Sequence, residues 1–515
     1  MPLIRAIATV GGWTMGSRVL GFVRDMFIAA FLGAGQVSDA FFVALQFPNI
    51  FRRLFAEGAF NAAFIPLFAG ELTEHGRAAA REFAERVFGV MLLILIVLSV
   101  LVEIFMPEVM GVVAGGFVGD PEKFQLAVDF ARLTFPYLLF VSLSAMLGGI
   151  LNTLEKFAAA AAAPILLNIV LIGALTGVAL GWLPDPGLAL SWGVLIAGVG
   201  QFAWLATVCS RTGLMPMVPR LVFGPRVKRL FMLMGPGILG AGVYQINVLI
   251  GVRLASELPE GSVSFLYFAD RVNQLPLGVV GAAVGVALLP LLSRQLKAGD
   301  TDAARDSQNR AIEFAMLLTV PAAAALLIVA DPIVTVLFQR GAFDAADAAA
   351  TGAALGAFAL GLPAYVLIKA LAPGFFARED TATPVKIAAL ALVVNVALAL
   401  ALMPTLAHVG IALATAVSAW INAALLGVLL YRRGLLEPDR RLMMRLVRIL
   451  FAALLMAGAL WLIADVLASP LRQSDPAGVA ALVLLVVVGM AVYAVLAQLL
   501  RATSLREMRS MFRRG

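Results

Sequence analysis

The stretch Val87-Phe88-Gly89-Val90-Met91-Leu92-Leu93-Ile94-Leu95-Ile96-Val97-Leu98-Ser99-Val100-Leu101-Val102 decides the fold. It carries no charge, and with its flanks it forms an apolar segment of about 20 residues, enough for one helix to cross a bilayer. Working outward, comparable runs fall at 8–33, 38–69, 84–105, 124–153, 159–181, 187–210, 229–255, 262–295, 307–330, 346–376, 384–404, 407–431, 443–466 and 477–500. That makes about fourteen spans. Composition agrees: 62% of residues are hydrophobic and 13% charged, against about 45–50% and 25% in soluble domains. Mean hydropathy is +0.98. No soluble core absorbs that excess, so the chain reads as an all-α polytopic membrane protein.

Other classes drop out quickly. Cys209 is the only cysteine, so no intrachain disulfide framework exists. His75 and His408 are too few and too far apart for a metal site, and no cofactor is implied. The first span has Arg5 before it but no small-residue cleavage site, and reads as a retained helix rather than a cleaved signal peptide. With the N-terminus inside, nearly every Lys and Arg outside the spans lies on one side. The opposite side keeps Lys123, Arg340 and Arg472. This asymmetry places both termini in the cytoplasm. It also explains the net charge of +7 without a nucleic-acid partner.

The chain repeats itself faintly. Ser38, Phe41, Ala63, Pro66 and Leu67 recur at one constant offset as Ser262, Phe265, Ala287, Pro290 and Leu291. Pro136 and Asn168 recur as Pro363 and Asn395. An even number of spans separates the copies, so the halves share one topology. The expected architecture is two parallel six-helix repeats around a central cavity, plus two extra C-terminal helices. Its domains are an N-terminal lobe (1–215), a C-terminal lobe (226–435), accessory helices 13 and 14 (440–500) and a basic cytoplasmic tail (501–515).

Cations stand where apolar residues are expected. Arg18, Arg24, Arg52, Arg53, Arg271 and Lys369 lie within the spans. A charge at the bilayer centre costs about 2.5–3.5 kcal/mol or more, so such residues usually face a cavity or a partner. Six of one sign predict a chamber for something anionic. Arg18 and Asp25, seven apart, lie on nearly one helical face, and Gly16 and Gly21 let the helix bend there. Asp39, Gln46, Asn49 and Arg53 form a polar stripe broken by Pro48, with Arg52 beside it. Asp270, Asn273 and Gln274 share a face next to Arg271.

Plainer readings stand beside these. Arg53 and Glu57, spaced i, i+4, can simply neutralise one another. Asp39 and Asp270 can serve as counter-ions for neighbouring arginines, and the arginines themselves can pair between helices. Gly235-Pro236-Gly237-Ile238-Leu239-Gly240 fits G-x-G-x-x-G, yet it opens no βαβ unit and reads as helix packing or a bend.

At these residues a family resemblance emerges. Ser17-Arg18-Val19-Leu20-Gly21-Phe22-Val23-Arg24-Asp25, Ser38-Asp39-Ala40-Phe41-Phe42-Val43-Ala44 and Pro48-Asn49-Ile50-Phe51-Arg52-Arg53-Leu54-Phe55-Ala56-Glu57-Gly58-Ala59-Phe60 resemble the MurJ (MviN) family. So do Tyr267-Phe268-Ala269-Asp270-Arg271 and the run from Leu371 to Lys386. The similarity extends essentially end to end. It implies a fourteen-helix flippase of the multidrug/oligosaccharidyl-lipid/polysaccharide exporter superfamily, in the bacterial inner membrane. The substrate implied is lipid II, the undecaprenyl-pyrophosphate-linked peptidoglycan precursor.

The resemblance carries the family's essential positions onto Arg18, Arg24, Asp39, Arg52, Arg271 and Lys369. It makes spans 13 and 14 a groove for the polyprenyl tail. Arg18, Arg24, Arg52, Arg271 and Lys369 are then expected to bind substrate, with Asp25, Asp39, Asn49, Arg53, Glu57 and Asp270 around the cavity or in coupling. Guanidinium groups suit a pyrophosphate because they donate in a planar fork. No covalent step is needed, so no catalytic nucleophile is expected. The other expected partners are membrane lipids, with the chain acting as a monomer. Na⁺, H⁺ and membrane potential stay open as the energy source. The runner-up is a drug or organic-cation antiporter. Its cavity should hold acidic and aromatic residues where this one is net basic, and it would not need spans 13 and 14. Composition leaves open a flippase for another lipid-linked glycan.

Overall fold

The computed structural model describes residues 3–53 and 60–503. Regular structure among them is helical throughout, with no strand. The chain divides into two compact units, Met1–Val263 and Ser264–Gly515.

The first unit holds α1 (Leu3–Leu32), α2 (Gln36–Phe51), α3 (Phe60–Ile104), α4 (Met106–Val113), α5 (Pro121–Thr134), α6 (Tyr137–Thr153), α7 (Phe157–Ala179), α8 (Pro186–Ser210) and α9 (Pro225–Ala255). A 3₁₀ turn, Gly115–Gly119, links α4 to α5. The second holds most of α10 (Ser262–Lys297), then α11 (Thr301–Phe338), α12 (Ala345–Phe376), α13 (Ala382–Arg432), α14 (Arg440–Val466), α15 (Ala468–Leu471) and α16 (Pro476–Leu499). Among the described residues, nine helical segments are long and apolar enough to cross a membrane.

The bends explain how these elements carry the expected spans. The second and third spans meet inside α3, where Gly76 adopts φ 80°, a left-handed conformation open to glycine. The eleventh and twelfth merge in α13 across Ala407. The fourth splits into α5 and α6, because Pro136 has no N–H to continue the ladder. Helix starts follow local chemistry. Asp120, Asp185, Asp300, Asp344, Asp439 and Asp475 each cap a helix by accepting a first-turn N–H, which stabilises a start by about 1 kcal/mol.

Packing in the first unit centres on phenylalanines. Phe60, Phe64 and Phe68 stack along α3 at i, i+4 spacing, and Phe64 meets Phe83 at 6.0 Å. In the second unit Phe268, Phe338 and Phe343 pack together, while Val284, Leu292, Ile312, Phe375 and Leu430 build the adjoining core. Outside, Leu93, Ile94, Ile96, Val97, Val100 and Leu101 of α3 are exposed in an unbroken band. On a helix long enough to cross a bilayer, such a surface suits lipid.

The appended helices α14 and α16 pack on one another and on α11. Tyr493 donates to the Leu317 carbonyl at 2.7 Å. At the basic end of α14, Arg445 and Arg441 pair with Glu313 of α11, which also takes Arg310.

Candidate functional site

Arg24 is buried in α1 at 6% exposure. Its Nε and Nη2 donate to Asp25 Oδ1 at 3.0 and 2.7 Å, and its Nη1 donates to Asn168 Oδ1 at 3.0 Å. Asn168, on α7, is fixed in turn by donating to the Ser17 carbonyl at 2.9 Å. Gly21 faces this amide across the contact between α1 and α7. Described residues thus engage three of the five guanidinium N–H groups and leave two. Arg18, a turn and a half away, is exposed on α1.

Asp39 opens a second cluster. It is 1% exposed in the first turn of α2 and accepts from Lys123 Nζ at 2.8 Å and from the Gly261 N–H at 2.9 Å. Lys123 of α5 is thus an ion-pair partner of Asp39, one that the sequence reading, which looked to neighbouring arginines, did not name. The expected placement of Lys123 in an outer loop is corrected as well. It is 7% exposed in the first turn of α5, with its ammonium over the Phe117 ring. The signal available in sequence was its isolation, since no other Lys or Arg lies between Arg86 and Arg132. Close by, Glu260 accepts from the Gln36 N–H at 2.6 Å.

A third cluster forms around Pro48. Proline removes the donor that the Ala44 carbonyl needs, and Thr134 Oγ of α5 supplies a replacement at 3.0 Å. Sequence gave no hint of Thr134. Asn49 Nδ2 donates to the Leu45 carbonyl at 2.8 Å, and Arg52 Nε donates to Asn49 Oδ1 at 3.0 Å. Arg52 and Arg53 are half-buried at the end of this helix, and Glu57 lies outside the described residues. Thr134→Val should cost about 1–3 kcal/mol by orphaning the Ala44 carbonyl. A thermal unfolding series in detergent checks this; an unchanged midpoint would show that the carbonyl finds another donor.

The second unit places the remaining candidates. Arg271 on α10 donates to Tyr267 Oη at 2.8 Å, with its guanidinium carbon 4.7 Å from the ring centre. Asp270 accepts from Gln274 Nε2. Lys369 extends from α12 onto Gly281 of α10, where a Cβ would come within 2.7 Å of Nζ. Within the first unit Arg24 joins Asp25 and Arg52 joins Asn49, and within the second Arg271 joins Tyr267.

The run 371–386 performs a different task. Asp380 accepts from the Thr383 N–H at 2.9 Å and from Thr383 Oγ at 2.7 Å, and also from Arg433 at 2.8 Å. It thereby clasps both ends of α13. The Thr383 bonds, with Arg433, hold the Asp380 carboxyl down at about 2. An unfolded carboxyl titrates near 3.9, so this clasp contributes stability above that value and loses it as pH falls toward 2. The gap in unfolding midpoint between wild type and Asp380→Asn should therefore narrow from pH 5 to pH 2. A constant gap would contradict the assignment.

Long apolar helices with cations among them define a multi-pass membrane protein. The family model described as lipid II flippase MurJ matches residues 28–472. A protein of Rhizobium meliloti named probable lipid II flippase MurJ is 47% identical, over 100% of this chain and 97% of its own length. A solved structure titled "Lipid II flippase MurJ, inward closed conformation" aligns with TM-score 0.79 at 24% identity, covering 95% of this chain and 98% of that one. An inward-facing multidrug resistance MATE family transporter of the MOP superfamily aligns at TM-score 0.68 and 16% identity, covering 84% and 98%. The chain belongs to the lipid II flippase MurJ family.

Proposed function

We propose that this chain moves lipid II from the cytoplasmic to the periplasmic leaflet of the bacterial inner membrane by alternating access. The observation that carries this reading is Arg24, a buried guanidinium with two N–H groups left over inside a helix otherwise apolar enough to span. A pyrophosphate accepts such a pair of donors in a planar fork. Arg18, Arg52, Arg271 and Lys369 serve as the further cations for the headgroup. Asp25, Asp39, Asn49, Arg53, Glu57 and Asp270 tune their charge and position. The polyprenyl tail stays in apolar surroundings along α14 and α16.

Transport needs no nucleophile and no cofactor. The functional lobes are 1–215 and 226–435, the accessory pair 440–500 and the basic tail 501–515. Both termini lie in the cytoplasm, and the chain works as a monomer. Membrane potential, Na⁺ or H⁺ supplies the drive.

The test is a reconstituted flipping assay. Proteoliposomes are loaded with a fluorescent undecaprenyl-pyrophosphate glycopeptide, and a membrane-impermeant reductant reports which leaflet holds it. Protein-dependent flipping, with none of a phosphatidylcholine carrying the same fluorophore, is the expected result. Equal rates for both lipids would overturn the substrate assignment.

A further inference from the structure

The connection between α8 and α9 has a composition that neither its length nor its position as a linker requires. From Arg211 to Gly224 the chain forms no regular helix. Pro216 and Pro219 restrict it to extended backbone. Within it, Met217 is 70% exposed, Leu221 64% and Phe223 61%, with Val218 and Val222 exposed between them. A linker that runs through water gains nothing from five such side chains.

The strap is not loose. The Arg220 N–H donates to the Glu85 carbonyl of α3 at 3.1 Å, and its guanidinium pairs with Glu82 and Glu85 at 3.3 and 3.0 Å. Gly89 makes the close approach possible, since a Cβ there would stand 2.6 Å from the Arg220 carbonyl oxygen. Phe223 stacks on Phe231 of α9 at 5.9 Å. Five exposed apolar side chains are therefore held in place, facing outward.

The attachment point fixes the depth. Gly89 lies at the start of the uncharged run of α3, and the lipid-facing band begins at Leu93. Four residues of helix make about 6 Å. The strap therefore crosses α3 at the boundary between headgroups and acyl chains. On its other side it continues into Met232 and Leu233, exposed on α9.

Charge completes the picture. Residues 211–229 include Arg211, Arg220, Arg226, Lys228 and Arg229, and no Asp or Glu. Arg220 is held as above, and Arg226 pairs with Glu71 at 2.6 Å. Arg211, Lys228 and Arg229 are exposed and form no ion pair with any described residue. Basic heads above an apolar edge at this depth match anionic lipid, with phosphates for the cations and acyl chains for the apolar groups.

We propose that Met217–Phe223 is an interfacial anchor, inserted in the leaflet it faces and held there by anionic phospholipid headgroups on Arg211, Lys228 and Arg229. It fixes the start of α9 at the membrane surface. The proposal rests on the membrane reading of the chain and not on its transport activity, so failure of one leaves the other standing.

The experiment uses the full chain in nanodiscs, where both faces meet solvent. Cys209→Ser removes the sole cysteine. Met217→Cys, Leu221→Cys and a control, Ala298→Cys in the α10–α11 turn, then carry an environment-sensitive fluorophore. In discs of phosphatidylglycerol and phosphatidylcholine, iodide should quench the strap positions roughly fivefold less than position 298. A nitroxide near the top of the lipid acyl chain should quench them more. Discs of phosphatidylcholine alone, or the triple change Arg211→Gln, Lys228→Gln and Arg229→Gln, should raise iodide access. Strap labels as open to iodide as the control would overturn the anchor. Protection that is the same in both lipids would overturn the role of anionic headgroups.

Discussion

Arg24→Lys should insert and fold, yet flip the lipid-linked precursor at least tenfold more slowly than wild type. The ammonium keeps the charge that Asp25 needs, so the buried pair survives in kind. What is lost is geometry. Arginine spends three donors on Asp25 and Asn168 and still presents two. Lysine has three donors in all and no planar fork. Losing one charge-assisted hydrogen bond costs about 1.5–3 kcal/mol, roughly ten- to a hundredfold. A companion, Asn168→Ala, separates orientation from contact. It frees one guanidinium N–H without removing any, so it should slow flipping less than Arg24→Lys does. Full activity in Arg24→Lys would mean that a diffuse positive field suffices.

Lys123→Met should be among the most destabilising single changes in the first unit. It leaves the Asp39 carboxylate buried without its cation, a situation that costs about 3–5 kcal/mol. The double variant Asp39→Asn, Lys123→Met removes both charges and should recover most of that loss, because two neutral groups carry no desolvation debt. Thermal unfolding of the four proteins in one detergent gives the cycle. Additive losses would show that the 2.8 Å pair is not energetically coupled.

Much of this architecture was legible in the chain because hydropathy is local. The run at 87–102 reads as a span without any knowledge of its neighbours, and the aspartate caps sit directly before the helices they start. Bends were legible only in part. Pro136 marks its break openly. Gly76 and Ala407 do not announce that helix continues on either side, because a left-handed residue depends on the contacts around it. Side-chain partners were hidden for a related reason. Nothing in span 1 says that Arg24 will take an amide from α7, and nothing beside Pro48 says that a threonine on α5 will supply the missing donor. Lys123 was misplaced because a charge near a helix start looks solvated until its carboxylate is seen. The strap at 217–223 was invisible as well, since five apolar residues between prolines are too few to span.

Lipid II transport is decided in cells whose own lipid II flippase can be depleted, with this chain supplied in trans. The quantity to measure is the fraction of undecaprenyl-pyrophosphate glycopeptide open to an externally added, membrane-impermeant enzyme that cleaves at the pyrophosphate. Depletion should lower that fraction and let the precursor accumulate inside. This chain should restore it, while an equal amount of the Arg24→Lys variant should not. If wild type and variant restore the outer pool equally, the arginine site has no part in transport. If neither changes it, the chain does not flip this lipid.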